Sequence, residues 1–344
     1  MGVKSKCLDR QWLNLNRMSA WQGDQDCVWR QNGVWNTDPN GTPHLLRPDH
    51  FAHVNGHQAR FSQDYYRPFA NRFAKAIREV DPDALIFIES TPERDSFEWG
   101  TDDAPRVVYA PHWYDAWILV FKKFSALMGI DSRRVRVVWL PSGIRRSFAA
   151  QLDSYKQQAR GHLRGAPVHL GEIGIPFDID GGRAYRTGDF SLQERALDRS
   201  LRAIEDNIMN TTIWNYTPDN DNARGDQWNG EDFSVFSRDQ QRNPTDVSSG
   251  GRGLRAFLRP YPKATAGEPM RLSFEMNRRV FRYEFSHDPL VEAPTEVFVP
   301  RFQYPKGYRV RVSDGRWESD SANQLLRYWH TMERDSHTIL ITAR

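Results

Sequence analysis

The stretch Val168-His169-Leu170-Gly171-Glu172 is a short apolar run that ends at a carboxylate. Three other runs have the same form: residues 84–88 precede Glu89, residues 107–110 precede Pro111 and His112, and residues 211–214 precede Asn215. Short continuous apolar runs are typical of strands that are buried on both faces of a parallel sheet. The four runs therefore predict parallel strands with polar residues at their carboxyl ends.

Helical patterns occupy the chain around these runs. Residues 64–80 have Asp64 as a potential N-cap, and apolar residues recur at helical spacing at Phe69, Phe73, Ala76, Ile77 and Val80. Residues 148–163 and 192–208 have similar patterns, and the last is preceded by Ser191, with Glu194 at the capping-box position. Alternating strands and helices predict β/α units. Residues 1–62 show no sustained period and are predicted to be irregular.

The pattern changes after residue 258. Residues 259–268 are rich in proline and glycine and are predicted to be a linker. In residues 269–344 the period becomes two, as in the alternation of Arg271, Ser273 and Glu275 with Leu272, Phe274 and Met276. Several short alternating runs with turn signals predict an antiparallel β-sandwich. The expected organisation is an α/β domain over residues 1–258 and a β-sandwich over residues 269–344.

Composition excludes several classes of protein. The chain has 344 residues, 39% of them hydrophobic and 26% charged, so a soluble globular protein is expected. No apolar stretch is long enough for a transmembrane helix, and no secretory signal follows Met1, so a cytoplasmic location is expected. A vacuolar or secreted location is the alternative if a signal precedes this sequence. The net charge of +3 gives no case for nucleic acid. Cys7 and Cys27 are too few for a disulfide framework.

Candidate catalytic residues follow the predicted strands. In a β/α barrel the active site lies at the carboxyl ends of the strands, where His112, Tyr114, Glu172 and Trp214 would meet. A retaining glycosidase needs a nucleophilic carboxylate and a second carboxyl group roughly 5–5.5 Å away. Glu172 suits the first role. On position alone, a residue that caps the next helix or pairs with an arginine is favoured over a catalytic one.

Several strings in this chain resemble glycoside hydrolase family 5, and in particular its endoglycoceramidase-related branch, which includes fungal steryl-β-glucosidases and glucosylceramidases. The resemblance covers nearly the whole chain. The strings are Ala110-Pro111-His112-Trp113-Tyr114-Asp115, Leu170-Gly171-Glu172-Ile173-Gly174-Ile175-Pro176-Phe177-Asp178, Trp214-Asn215-Tyr216-Thr217-Pro218-Asp219-Asn220, Gly225-Asp226-Gln227-Trp228-Asn229, Cys27-Val28-Trp29-Arg30-Gln31-Asn32-Gly33-Val34-Trp35 and Arg255-Ala256-Phe257-Leu258-Arg259-Pro260-Tyr261-Pro262.

The resemblance implies a role for each matching residue. Glu172 would be the nucleophile, with His112 beside it and Tyr114 holding or polarising its carboxylate. Trp214 would form the floor under the sugar. Asp226 and Trp228 would shape the sugar or aglycone pocket, although packing within their loop is an equal alternative.

The resemblance also implies a substrate class. The expected substrate is a glycolipid or glucoside, such as a steryl glucoside or glucosylceramide, with peripheral contact to membrane lipid. No cofactor or metal is implied. His44, His50, His53 and His57 cluster in sequence, but Pro48, Asn55 and Gly56 mark a loop there, and these histidines are predicted to be solvated or hydrogen-bonded.

One departure from the family pattern changes the interpretation. The family's acid/base is the glutamate of an Asn-Glu pair at the end of the fourth strand, and the sequence contains no such pair. The four predicted strands correspond to the fifth to eighth of the barrel, so the chain is interpreted as the C-terminal half of a (β/α)₈ TIM barrel followed by the sandwich. Glu89 and Asp115 are poor substitutes, because neither is expected opposite Glu172. One hypothesis is a retaining β-glycosidase that is inactive as this chain. The other is a non-catalytic remnant that binds sugar or lipid.

Overall fold

The computed structural model describes residues 21–22, 26–89, 97–228 and 230–344. Cys7, the stretch after Met1 and Asn229 lie outside the described residues. The first described elements are short, and two hairpins, β1–β2 and β3–β4, form within residues 35–58, where an irregular structure was expected. They carry the exposed side chains of His44, His53 and His57. Their bounds are α1 (Val28–Gln31), β1 (Trp35–Thr37), β2 (Pro43–Leu45), β3 (His53–Val54) and β4 (His57–Gln58).

The next part of the chain is half of a (β/α)₈ barrel. All four predicted strands form, and they lie side by side in chain order. Parallel pairing joins β5 to β6 and β9 to β10, and a parallel bridge between Tyr109 and Val168 joins the two pairs. The bounds are a π-helical turn (Ser62–Tyr66), α2 (Arg67–Arg78), β5 (Ile86–Ile88), β6 (Val107–Tyr109), α3 (Ala116–Phe121), β7 (Met128–Asp131), β8 (Arg136–Trp139), α4 (Pro141–His162), β9 (His169–Ile173), α5 (Ile179–Thr187), α6 (Ser191–Asp206), β10 (Asn210–Ile213), a 3₁₀ turn (Arg238–Gln240) and α7 (Leu254–Phe257).

The half barrel is open on the side of β5 and α2. Helix α2 packs through the small side chains of Ala70 and Ala74, whereas Phe69 and Phe73 on its predicted apolar stripe are 61% and 48% exposed. Phe87 in β5 is also exposed. A closed barrel pairs every strand on both sides, but β5 and β10 each pair on one side only within the described residues. The exposed apolar surface therefore lies where a complete barrel would continue.

Two predicted helix caps are wrong. Ser191 is the first residue inside α6, and the carboxylate of Asp189 accepts its backbone N–H at 3.0 Å. Asp64 lies inside the π-helical turn that precedes α2, where its side chain accepts the backbone N–H of Arg60 at 2.9 Å. In each case the pattern identified the region where the helical segment begins but placed the cap inside that segment. Glu194 instead pairs with Arg255 at 3.3 Å.

The C-terminal domain is a sandwich of two four-stranded antiparallel sheets. Their strand orders are β11-β14-β17-β16 and β12-β13-β18-β15. The segment predicted as a linker, residues 259–268, contains β11, which pairs with β14. Pro262 is tolerated there because β11 is an edge strand. The bounds are β11 (Tyr261–Ala264), β12 (Gly267–Glu275), β13 (Val280–His287), β14 (Thr295–Phe298), β15 (Tyr308–Val312), β16 (Arg316–Asp320), β17 (Leu325–Trp329) and β18 (Ser336–Ala343).

Buried charges join the sandwich to the half barrel. The guanidinium of Arg259 contacts Asp198 Oδ1 at 2.5 Å and Glu205 Oε1 at 2.6 Å, both on α6. The other oxygen of Glu205 accepts the backbone N–H of Phe274 in β12 at 3.1 Å. Because all three charged side chains are largely buried, each depends on its partners for the interactions that water would otherwise supply. No helix in the described ranges has the length and apolar character needed to cross a membrane.

Replacing Arg259 with methionine tests this junction. The change leaves two carboxylates buried without their cation, so we expect the free energy of unfolding to fall by about 3–5 kcal/mol. Urea denaturation followed by circular dichroism measures it. The matched control is Arg278→Met, which removes an exposed pair with Glu275 and is expected to cost no more than about 1 kcal/mol. Equal losses in the two variants would contradict the assignment.

Candidate active site

The carboxyl ends of β6 and β9 place His112 directly beside Glu172. The backbone N–H of Gly171 donates to the carbonyl of Pro111, and that of Trp113 donates to the carbonyl of Glu172, each at 3.0 Å. His112 and Glu172 form a parallel bridge between these bonds. Neighbours across parallel strands project to the same side of a sheet. The pairing therefore fixes the imidazole and the carboxylate as neighbours.

The two glycines that flank Glu172 allow the strand ends to approach. A Cβ at Gly171 would lie 3.0 Å from the carbonyl oxygen of Ala110, and a Cβ at Gly174 would lie 2.2 Å from that of Trp214. The backbone N–H of Trp214 donates to the carbonyl of Ile173 at 2.7 Å. Trp214 is therefore brought to the same rim as Glu172. The Trp214–Asn215 peptide bond is cis.

Tyr114 and His112 hold the Glu172 carboxylate. The Tyr114 hydroxyl donates to Oε2 at 2.7 Å, and Nδ1 of His112 lies 3.2 Å from the same oxygen. Burial is the main cause that raises the pKa of Tyr114 far above its ordinary value, and the neighbouring Glu172 adds to it. The phenol therefore keeps its hydrogen and remains a donor. The Glu172 side chain is 23% exposed. The carboxylate is thus fixed in direction and still reachable from outside.

Glu89, at the end of β5, is a further member of this cluster. Its Oε1 lies 3.2 Å from Nδ1 of His112, the nitrogen that also contacts Glu172. Burial raises the pKa of Glu89, His112 opposes the rise, and the negative charge of Glu172 adds to it. The two carboxylates therefore repel each other across one imidazole nitrogen. The sequence identified Glu89 as a strand-end acid, but its contact with His112 depends on the pairing of β5 with β6.

Asp115, the other acid weighed as a substitute, is committed elsewhere. Its carboxylate is buried against the guanidinium of Arg199 and accepts the backbone N–H of Trp117 at 3.1 Å, which caps α3. Burial raises its pKa, and Arg199 opposes that effect. Asp115 is therefore a structural residue that anchors α3 to α6.

The structure places Asp226 inside the loop that follows β10. Its carboxylate accepts hydrogen bonds from the side-chain amides of Asn215 (3.1 Å) and Asn220 (2.9 Å) and from the backbone N–H groups of Phe233 (2.7 Å) and Ser234 (3.2 Å). These four bonds occupy the acceptor sites of a carboxylate. Asp226 thus organises the loop. Trp228, on the same loop, is 62% exposed, whereas Trp214 is partly buried at the rim.

A buried ion pair that the sequence did not indicate supports this loop. The fully buried guanidinium of Arg252 donates to both oxygens of Asp232, at 2.8 and 2.5 Å, and lies over the ring of Phe177 at 4.4 Å. The Tyr185 hydroxyl also donates to Asp232. The amide of Asn220 donates to both Asp232 and Asp226 and joins the two networks. No local motif reveals these contacts, because the partners are far apart in the chain.

The open set of parallel strands with a held carboxylate at their carboxyl ends is typical of barrel glycoside hydrolases. The family model for cellulases of glycosyl hydrolase family 5 matches residues 49–220, and that for the glycoside hydrolase family 5 C-terminal domain matches residues 259–341. The chain therefore belongs to glycoside hydrolase family 5, which confirms the resemblance seen in its motifs.

Similar proteins include fungal enzymes. A glucosylceramidase of Rhizopus delemar is 30% identical over 329 residues, which cover 88% of this chain and 48% of that protein. The ergosteryl-beta-glucosidase of Saccharomyces cerevisiae is 27% identical and matches 92% of this chain and 50% of its own length. The crystal structure of Cryptococcus neoformans sterylglucosidase 1 matches with a TM-score of 0.82 and 30% identity, over 92% of this chain and 49% of that chain. The chain spans about half the length of the curated relatives it matches.

The repulsion between the two carboxylates can be measured. In a Glu172→Gln variant the charge that raises the pKa of Glu89 is removed, so we expect this pKa to move down toward its ordinary value and to remain above it because burial persists. Carboxyl ¹³C NMR titration of Glu89 measures the change. Glu318→Gln, at an exposed carboxylate of the sandwich, serves as the control and should leave Glu89 unchanged. An unaltered Glu89 pKa in the Glu172 variant would contradict the geometry.

Proposed function

We propose that this chain carries the nucleophile-bearing half of a retaining β-glycosidase for glucosylated lipids, such as steryl glucosides or glucosylceramide. The observation that carries the proposal is the Glu172 carboxylate at the strand ends, bonded by Tyr114 at 2.7 Å and contacted by His112 at 3.2 Å. Membership of the family and the names of the similar fungal enzymes support the substrate class.

The geometry suggests how Glu172 acts. Tyr114 and His112 both contact Oε2, so Oε1 is the oxygen that attacks the anomeric carbon. A bond from Oε1 to that carbon forms as the bond to the aglycone oxygen breaks, and the leaving oxygen keeps the electron pair and takes a proton. Water then attacks the same carbon, loses a proton and releases the Glu172 carboxylate. The hydrogen bond from Tyr114 fixes the direction of the carboxylate throughout.

The proton donor is the part of the reaction that these four strands do not supply. No Asn-Glu pair occurs in the sequence, Asp115 is paired with Arg199, and Glu89 contacts the same nitrogen of His112 as Glu172 does. We infer that a carboxyl group from outside these strands completes the site. With a natural glycolipid, whose leaving group needs a proton, the chain alone is expected to show negligible hydrolysis.

An apolar cavity supports a lipid aglycone. The cavity has a volume of about 800 Å³ and lies between the loop after β10 and the sandwich. Tyr216, two residues beyond Trp214, lines it, so it begins close to the rim that carries Glu172. Such a space suits a sterol or an acyl chain, and we propose that the same face contacts membrane lipid at its surface, with a cytoplasmic location. The other aromatic and aliphatic lining residues include Phe236, Leu254, Phe257, Phe298 and Phe302.

A second candidate function is a non-catalytic domain that binds sugar or lipid. The open side of the half barrel, where Phe69 and Phe73 are exposed, favours this function. A retaining site needs a carboxyl group on each side of the scissile bond, and the proton donor is inferred to come from outside these strands. The two candidates differ in whether Glu172 can react. A glycoside whose leaving group needs no protonation separates them.

The first test uses a dinitrophenyl β-glucoside that carries fluorine in place of the hydroxyl next to the anomeric carbon. Dinitrophenolate leaves without a proton and fluorine slows the second step, so we expect one fluoroglucosyl group to accumulate on the peptide that contains Glu172, detected by mass spectrometry. Glu172→Gln should not be labelled, whereas Glu89→Gln should be. Absence of labelling in the unchanged chain would favour the binding function.

Azide completes this test. With the unfluorinated dinitrophenyl β-glucoside, azide needs no general base and can attack the glycosyl-enzyme to give the β-glucosyl azide. We expect azide to accelerate turnover at least about tenfold, because general acid–base catalysis is worth roughly 10²–10⁴-fold and is absent for water. Fast turnover without azide would show that an acid/base resides in the chain.

The role of Tyr114 can be measured separately. Tyr114→Phe removes a hydrogen bond to an ionised carboxylate, a contact worth about 1.5–3 kcal/mol. We expect the rate of labelling of Glu172 to fall by roughly tenfold to a hundredfold, with little change in melting temperature. Tyr261→Phe in the sandwich is the control and should label at the normal rate. A normal rate for Tyr114→Phe would remove Tyr114 from the mechanism.

A further inference from the structure

Three histidines meet between the two sheets of the sandwich, far from Glu172 in the chain. His287 is the last residue of β13 and His337 is the second residue of β18 in one sheet, and His330 directly follows β17 in the other. One ring nitrogen from each lies within 4.8 Å of those of the other two. Nδ1 of His287 and Nε2 of His337 are 3.1 Å apart. The three side chains thus converge on one point.

Asp314 determines which ring nitrogen of His337 carries a hydrogen and which one has a free lone pair. Its Oδ1 lies 2.8 Å from His337 Nδ1. The same carboxylate also accepts hydrogen bonds from the hydroxyl groups of Ser313, Tyr328 and Thr331 and from the backbone N–H of Thr331. An ionised carboxylate can only accept, so Nδ1 of His337 carries the hydrogen. In the neutral ring, Nε2 then presents its lone pair toward His287.

The charge balance around Asp314 favours a cation at this point. The side chain is 8% exposed, and its donors other than His337 are uncharged. Within the described residues no arginine or lysine pairs with it; its only ion-pair contact is His337, whose side chain is fully buried. A buried carboxylate normally has a positive partner. A metal ion bound through His337 would supply that charge in the carboxylate–histidine–metal arrangement.

His330 adds an independent observation. Its Nδ1 is buried and has no hydrogen-bond partner among the described residues. Buried polar nitrogens are nearly always partnered, so this one calls for an explanation.

We propose that His287, His330 and His337 bind one divalent transition-metal ion, for which Zn²⁺ is the best fit, with Asp314 as the residue that orients His337. Three imidazole nitrogens are a donor set that Zn²⁺ accepts, with water as a fourth ligand. Two ligands about 2.0–2.1 Å from a tetrahedral ion are about 3.3 Å apart, close to the 3.1 Å between His287 and His337. A ring nitrogen of His330 lies within 4.8 Å of both.

The location of the three histidines between the two sheets predicts that a bound ion stabilises the sandwich. The ligands come from both sheets, so a bound ion would cross-link them at one end of the sandwich. Binding to the folded state alone raises stability in proportion to the logarithm of the ion concentration over its dissociation constant. The inference is independent of the glycosidase proposal, since none of the three histidines contacts the Glu172 cluster in the described structure.

The test uses the full chain, stripped of metal with a chelator and then titrated. We expect one Zn²⁺ per chain by calorimetry, a rise in melting temperature on adding Zn²⁺, and an intense visible spectrum with Co²⁺ that indicates tetrahedral coordination. His330→Ala should lose all three signals. It is the variant of choice because its Nδ1 makes no hydrogen bond that folding would miss. His57→Ala, at an exposed histidine of the β3–β4 hairpin, is the matched control and should keep them.

Asp314→Asn provides the second variant and should weaken Zn²⁺ binding by about tenfold to a hundredfold. Circular dichroism of each metal-free variant checks that it folds. The proposal is overturned if the unchanged chain binds no stoichiometric Zn²⁺ or if His330→Ala binds as tightly as His57→Ala. A weak Co²⁺ spectrum typical of six-coordinate ions would also overturn it, and that measurement requires no variant. In those cases the 3.1 Å contact is a hydrogen bond between two imidazoles.

Discussion

The close approach of three strand ends around Glu172 is the constraint on which the candidate site depends. Side chains at positions 171 and 174 would collide with the carbonyl oxygens of Ala110 and Trp214. Glycine at both positions lets β6, β9 and β10 converge, and this convergence places the imidazole, the phenol and the carboxylate within hydrogen-bond distance. The contacts among these side chains therefore depend on how closely the backbones of the three strands pack.

Buried ion pairs fix the parts of the chain that surround the site. The Arg252–Asp232 pair fixes the loop that begins at Trp214, and the contacts of Arg259 with α6 fix the sandwich against the half barrel. In both cases the ions are nearly removed from water, so neither partner can leave without a large cost. These ion pairs thus fix the loop and the sandwich, the two parts of the chain that line the cavity. Helix α2 is likewise held by an ion pair, between Arg67 and the nearly buried Asp103 at 2.8 Å, although much of its apolar stripe is exposed.

The sequence predicted the strands well because their signal is local. Each run of apolar residues formed a strand, and the strings around His112, Tyr114 and Glu172 identified the family, as the family models confirm. The caps at Ser191 and Asp64 were wrong because each helical segment begins earlier than its apolar pattern indicates. The loop position of Asp226 did not show that its carboxylate is used up by four internal hydrogen bonds.

By itself, then, the sequence determined the type of each main element and the class of chemistry at the strand ends, since both are encoded in neighbouring residues. Only the tertiary structure decided which distant groups meet. The contact of Glu89 with His112 depends on the pairing of β5 with β6, and the meeting of His287, His330 and His337 depends on two sheets packing face to face. Such contacts join residues with no shared local pattern, so they exist only once the sheets have formed and packed.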